Sequence, residues 1–450
     1  MFDNLRTRIL AVIFAGAILI AIDGSTISPI LESIQKSFGV SESVITWIFN
    51  MEILFLLLST PIMAKLSDKY GRKNIYVINA ALFLIGTLVV SFSQSFEMLL
   101  IGRALQGIGA VLSVLAITII GDYFDESRGT ILGAFGVIIA LVYALGPAIS
   151  GFLVNFGWHW VFVINIPVAA IVVILGYYLL PESKTSEKYS GFDWKGMVFL
   201  GIAIATIAYF IFNLSEQAST TLQYFLLGIF ILALIIFWWV ERKAIEPIIP
   251  IGLLKKRDTL IASVVTLVGY LAMAGTYYFS TYASMAFNLS YSTAAYMILP
   301  MTIASLITTP VVGKLLDKVG AKPIMVVGGV LTAIGMLILS YSSNLYLFAF
   351  SLVLVGIGNA SIVGNALYYI FLDETGKSER ASGQALLNIL LNTGSLLGGA
   401  ILGSALSFSA SGAASFRHVY LYLAVVYVIL TILSIGLRGR LSGSKKPAAG

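Results

Sequence analysis

The feature that most constrains this chain is a succession of apolar stretches, each about twenty residues long, the length that crosses ~30 Å of hydrocarbon as a helix rising about 1.5 Å per residue. Read in windows of about nineteen residues, they fall near 9–30, 44–64, 75–93, 98–120, 129–153 and 161–180, then near 196–214 and 222–240, and finally near 259–285, 293–312, 323–342, 346–370, 382–408 and 418–437. The predicted fold is an all-α membrane protein with fourteen transmembrane helices in the order six, two, six. The polar segment PESKTSEKYSGFDWK and the basic connector ERKAIEPIIPIGLLKKRD set off the middle pair. The chain is thereby divided into a first six-helix bundle (1–180), an inserted two-helix hairpin with its linkers (181–258), a second six-helix bundle (259–437) and a basic tail (438–450). The first stretch is too long for a signal-peptide core and carries Asp23, so it is read as a retained span.

Composition removes most other classes of function. The chain is 59% hydrophobic and only 11% charged, against about 25% charged in an ordinary soluble domain. Without cysteine there is no disulfide framework, thiolate nucleophile or cysteine metal site. His159 and His418 lie far apart in sequence, so no metal centre is expected and no cofactor is implied. No nucleophile constellation appears, and an enzyme is not expected. The net charge of +6 acquires its meaning from position: of 27 Lys and Arg, only Lys36 and Arg417 fall on one side of the span order and Arg103 within a span, while the rest fill the other side. Such asymmetry orients membrane proteins with the basic side in the cytoplasm. Both termini are thus placed there, and nucleic-acid binding is not indicated.

The stretch from Ile45 to Lys73 combines these signals. It holds Glu52 inside an apolar span and ends in a loop with Lys65, Asp68, Lys69, Arg72 and Lys73. That loop, AKLSDKYGRK at 64–73, recurs as GKLLDKVGAK at 313–322, each preceded by a proline, Pro61 and Pro310, after the second span of a six-span block. Repeated six-span halves are an architecture of secondary transporters.

Residues 64–73 resemble the loop motif of the major facilitator superfamily, although Ala64 stands where glycine is usual. LLIGRALQGIGA, with Arg103, Gln106, Gly107 and Gly109, is similar to that family's fourth-helix motif associated with proton coupling. ALGPAISG at 144–151 resembles the fifth-helix antiporter motif, with Val142 and Ser150 replacing glycines. WHWVFVINIPVA, YSGFDWKG and EPIIPIGLLKKRD resemble markers of the fourteen-span drug/proton antiporter branch. The resemblance implies the major facilitator fold, protons as coupling ion, and no other cofactor.

Asp23, Glu52 and Arg103 are the charged residues well inside these spans. Counting from the span ends at about 1.5 Å per residue, all three lie roughly 8–12 Å below the outer surface. An ionisable group at that depth is a functional candidate by default. The three are read as a proton-coupling set in which either acid carries the proton and Arg103 tunes it. A buried ion pair that only fixes helix register is the alternative. Asp68, Arg72, Asp122 and Arg128 form a second expected cluster, which by resemblance latches the cytoplasmic side, with Asp68 facing a helix N-terminus near Ser382.

The second half offers amides and phenols instead of acids. Tyr270, Tyr277, Asn359, Asn388 and Asn392, with Gln106 from the first half, are candidate substrate contacts, and polar contacts between helices are their other reading. Asn388 and Asn392 are four apart and share a helix face. Gly146 and Pro147 are expected to bend the fifth span. Trp158 and Trp160 suit an outer aromatic belt.

Together these readings predict a multi-pass, monomeric plasma-membrane protein that exports amphipathic cationic or zwitterionic drugs against protons. Its partners are the small-molecule substrate and the lipid bilayer. An exporter or flippase for one endogenous lipid, peptide or metabolite is the alternative. An uptake symporter, a receptor and a membrane enzyme are less favoured.

Overall fold

The computed structural model describes residues 4–27, 30–40, 42–45, 47–182, 193–214, 220–244, 251–289, 291–376, 379–407 and 413–438. Most of the polar segment after the sixth span, part of the basic connector and the tail from 439 lie outside the described residues. All regular structure among those described is helical, as lipid demands of a chain whose backbone groups must find partners within their own segment.

In chain order the helices are α1 (Asn4–Thr26), the short α2 (Leu31–Phe38) and α3 (Glu42–Ile45), α4 (Trp47–Tyr70), α5 (Arg72–Ser91), α6 (Phe96–Gly109) and α7 (Leu112–Tyr123). There follow α8 (Arg128–Leu153), the short α9 (His159–Val163), α10 (Asn165–Leu179), α11 (Trp194–Leu214) and α12 (Thr220–Glu241). Next come α13 (Arg257–Met273), α14 (Phe279–Phe287), α15 (Tyr291–Tyr296), α16 (Leu299–Val319) and α17 (Ala321–Ser340). The chain closes with α18 (Leu345–Asn359), α19 (Asn365–Glu374), α20 (Arg380–Ser407) and α21 (Ala413–Ile435).

Among the described residues, 12 spans are long and apolar enough to cross a membrane. Two further long helices are not among them. The apolar part of α11 is the shorter Lys195–Ile207, and α20 carries Gln384, Asn388 and Asn392 along its length.

The helices cluster into two compact units, one of residues 1–123, 137–251 and 377–388, the other of 124–136, 252–376 and 389–450. Two helices therefore change unit along their length: α8 begins in the second and continues in the first, and α20 does the reverse.

In the first unit, α6 packs on α4 and α5, α5 on α10, and α10 on α1. The inserted helices α11 and α12 pair, and α11 leans on α4. The α5–α6 seam depends on glycine: a Cβ on Gly86 would lie 2.8 Å from the Gly102 carbonyl and 2.7 Å from the Gln106 amide. Small residues at such seams let helices associate where lipid supplies no hydrophobic drive. Ser95 caps α6 by accepting from Met98 N at 3.2 Å. At one end an apolar cluster gathers Ile27, Ile34, Ile48, Val90, Phe96 and Trp158. Here the structure corrects the aromatic-belt expectation. Trp158 is only 3% exposed while Trp160 is 52% exposed. The Trp158 indole donates to Ser37 Oγ at 3.1 Å and packs edge-on against Phe38, so its ring belongs to the core.

The second unit repeats the scheme. α18 packs on α16 and α17, α17 on α21, and α21 on α13. Its glycine seam is also repeated, since a Cβ on Gly328 would lie 2.9 Å from the Gly358 carbonyl. A π-helical turn, Ala360–Gly364, separates α18 from α19. Such turns are frequent at functional positions.

Candidate functional site

Three polar residues from separate apolar helices meet in the first unit: Asp23 of α1, Glu52 of α4 and Arg103 of α6. Arg103 is 0% exposed and Asp23 1%. Arg103 Nη1 donates to Asp23 Oδ2 at 2.9 Å and to Gln106 Oε1 at 2.8 Å. Its Nη2 pairs with Glu52 Oε2, and its Nε donates to the Ile48 carbonyl at 3.1 Å. Gln106, one turn further along α6, turns its amide nitrogen to Asp23 Oδ1 at 3.1 Å and to Thr87 Oγ1 at 3.1 Å. The α4–α6 approach that brings Glu52 within reach is possible because residue 107 is glycine. A Cβ there would lie 3.0 Å from the Glu52 carbonyl carbon.

Sequence reasoning did not single out Asn165, whose Nδ2 donates to Asp23 Oδ1 at 3.2 Å. Thr87 was missed as well. The available signal was an amide at the start of an apolar helix, inside WHWVFVINIPVA.

The second expected cluster forms with one change of membership. Arg72, 7% exposed, pairs with Asp68 and donates from Nε to Asp122 Oδ2 at 3.1 Å. Asp68 Oδ2 accepts from Ser382 N at 3.2 Å and Ser382 Oγ at 2.7 Å, at the first turn of α20, where the helix end is partially positive. Arg128 does not join them. Its Nη2 pairs with Asp125 at 2.9 Å and its Nη1 with Asp373 at 3.7 Å, and it lies over the Tyr369 ring. The residue beside Asp122 is instead Arg380, at 3.0 Å, which sequence reasoning overlooked.

The physical reason is the internal repeat. Asp317, the counterpart of Asp68, accepts from Gly129 N at 2.7 Å, Thr130 N at 2.8 Å and Thr130 Oγ1 at 2.8 Å at the first turn of α8. Arg128 at the start of α8 thus stands to Asp373 as Arg380 at the start of α20 stands to Asp122. Each arginine begins one helix and pairs with a carboxylate near the end of another.

The amides and phenols of the second half are more dispersed. Asn359 Oδ1 accepts from Tyr427 OH at 2.9 Å, immediately before the π-turn. Tyr270 packs against Gly394 of α20, where an added Cβ would lie 3.1 Å from the Tyr270 Cβ. Tyr277 is 65% exposed. Asn388 and Asn392 are both half-buried on α20. α8 runs unbroken through Gly146 and Pro147, and Gly146 sits directly against Ser25 of α1.

Apolar spans built twice on one pattern, with ion pairs buried among them, define a multi-pass membrane transporter and not an enzyme. Residues 13–307 and 262–450 match the Major Facilitator Superfamily, and the chain belongs to it. It is 30% identical over 334 residues to Multidrug resistance protein 3 of Bacillus subtilis (strain 168), across 72% of this chain and 64% of that protein. It is 29% identical over 360 residues to Riboflavin transporter RibZ of Clostridioides difficile (strain 630), across 78% of this chain and 77% of that one. Among solved structures, the human organic anion transporter MFSD10 shares the fold, with a TM-score of 0.72 at 16% identity over 96% of this chain and 100% of that chain.

Proposed function

We propose that this protein is a proton-coupled secondary transporter of the fourteen-span drug/proton antiporter branch. It exports amphipathic cationic or zwitterionic drugs across the plasma membrane by alternating access, with both termini in the cytoplasm. One observation carries the reading: two carboxylates, Asp23 and Glu52, share one guanidinium inside apolar helices. With both acids ionised the set carries one net negative charge, which a single proton cancels. A register-fixing ion pair needs only one acid, so the second is the group left for exchange.

The energetics suffice. Each proton returning inward contributes about 2.3 kcal/mol per 100 mV, enough for roughly a fifty-fold gradient of a neutral substrate. The negative form of the set favours a cationic substrate, and proton uptake lowers that preference, which is the exchange an exporter needs.

An exporter of a single endogenous metabolite is the second reading, favoured by the similarity to the riboflavin transporter. Proteoliposomes with an imposed pH gradient decide between them. The drug reading expects gradient-driven transport of the cationic dye ethidium. Transport of riboflavin without ethidium would favour the metabolite reading, and indifference of all transport to the gradient would remove proton coupling.

A further inference from the structure

The two acids of the buried set are not equivalent. We propose that Glu52 gains and loses the coupling proton, while Asp23 stays ionised as the permanent counter-ion of Arg103. This assignment rests on the proton-coupled reading above.

Asp23 is enclosed by donors. Its Oδ2 accepts from Arg103 Nη1 at 2.9 Å, and its Oδ1 accepts from both Gln106 Nε2 at 3.1 Å and Asn165 Nδ2 at 3.2 Å. A hydrogen on Oδ1 would point at the Gln106 and Asn165 N–H groups and one on Oδ2 would crowd the Arg103 N–H, so protonating Asp23 disturbs bonds to three donors where protonating Glu52 disturbs one. The Gln106 amide cannot rotate to accept such a hydrogen at no cost, because its oxygen already accepts from Arg103 at 2.8 Å. Glu52 differs on each count. The ion pair with Arg103 Nη2 is its one protein donor contact among the described residues, and its side chain is 18% exposed against 1% for Asp23.

The Glu52 and Asp23 carboxylates meet at the same guanidinium, Glu52 on Nη2 and Asp23 on Nη1. Two carboxylates sharing one guanidinium repel when both are ionised, and a single proton on the partly exposed one relieves this. The charged groups facing Glu52 among the described residues are Arg103 from α6 and Asp23 from α1. α5 and α10 contribute only the uncharged Thr87 and Asn165 to the set.

The step balances simply. Water delivers a proton, an O–H bond forms on Glu52, and its ion pair with Nη2 becomes a bond between a charged donor and a neutral acid. Release returns the proton to water and restores the pair. The set alternates between one negative charge and none, and so moves one proton per cycle.

Infrared difference spectroscopy of the purified full chain in lipid nanodiscs, titrated with acid, tests the assignment without a substrate. Wild-type protein grown with carboxyl-13C glutamate should shift the protonated-carboxyl band, and protein grown with carboxyl-13C aspartate should not. In Glu52→Asp the label dependence should reverse. A wild-type band that follows aspartate, or one in Glu52→Asp that still follows glutamate, overturns the proposal. Gradient-driven ethidium transport by the same wild-type protein reads the parent hypothesis separately. If the band follows Glu52 but transport ignores the gradient, only the transport reading fails.

Discussion

Replacing Arg103 with alanine tests the central physical argument most directly. The guanidinium donates to Asp23, Gln106 and the Ile48 carbonyl and pairs with Glu52, with no exposed surface of its own. Its loss leaves Asp23 and Glu52 facing each other without a countercharge. Breaking one side of a buried ion pair costs about 3–5 kcal/mol, roughly two to nearly four decades in the folding equilibrium. The cost arises mainly from the stranded charge, so removing that charge should recover much of it. The double variant Asp23→Asn/Arg103→Ala is accordingly expected to be more stable than Arg103→Ala alone. Reversible unfolding of the purified protein in mixed micelles, with all four members of the cycle, measures this. A loss under about 1 kcal/mol for Arg103→Ala, or single effects that add within about 0.5 kcal/mol, would refute the claim that these groups are energetically coupled.

Three other substitutions probe separate parts of the structure. Gly107→Ala places a methyl group 3.0 Å from the Glu52 carbonyl carbon and 3.1 Å from its Cα. Backbone cannot rotate aside, so a loss of about 1–3 kcal/mol is expected, with reduced gradient-driven transport because α4 shifts away from α6; unfolding and flux assays check the two effects. Asp317→Asn keeps the side-chain shape but removes the negative charge at the first turn of α8, where it accepts three bonds. A loss of about 0.3–2 kcal/mol follows from the helix dipole, and Asp68→Asn at the first turn of α20 should cost more, because it also breaks the buried pair with Arg72; an increase in melting temperature for either would contradict the account. Ser95→Ala removes the acceptor for Met98 N at the start of α6, with an expected cost of about 0.5–2 kcal/mol that Ser95→Asp avoids, read by thermal melting.

Much of this protein was legible one segment at a time. A spanning helix satisfies its backbone internally and draws its stability from apolar length, so hydropathy locates it without knowledge of any neighbour. The recurrence of AKLSDKYGRK as GKLLDKVGAK announced two halves built alike, and the repeated packing of α5 and α17 against their neighbours has the same origin. Asp23, Glu52 and Arg103 stood out because charge in an apolar stretch is costly wherever it lies.

Tertiary structure decided which of these groups touch and on what terms. Asn165 reaches Asp23 across 142 positions of sequence, and no local pattern encodes that distance. Arg128 was grouped with Asp122 because the two are close in the chain, yet it serves Asp373 at the end of α19, since helix starts follow the repeat and not the nearest loop. The contrast between an acid ringed by three donors and a partly exposed acid with one exists only once α1, α4, α6 and α10 are packed together. Sequence determines what each helix can bury. The geometry of their packing determines which buried groups meet.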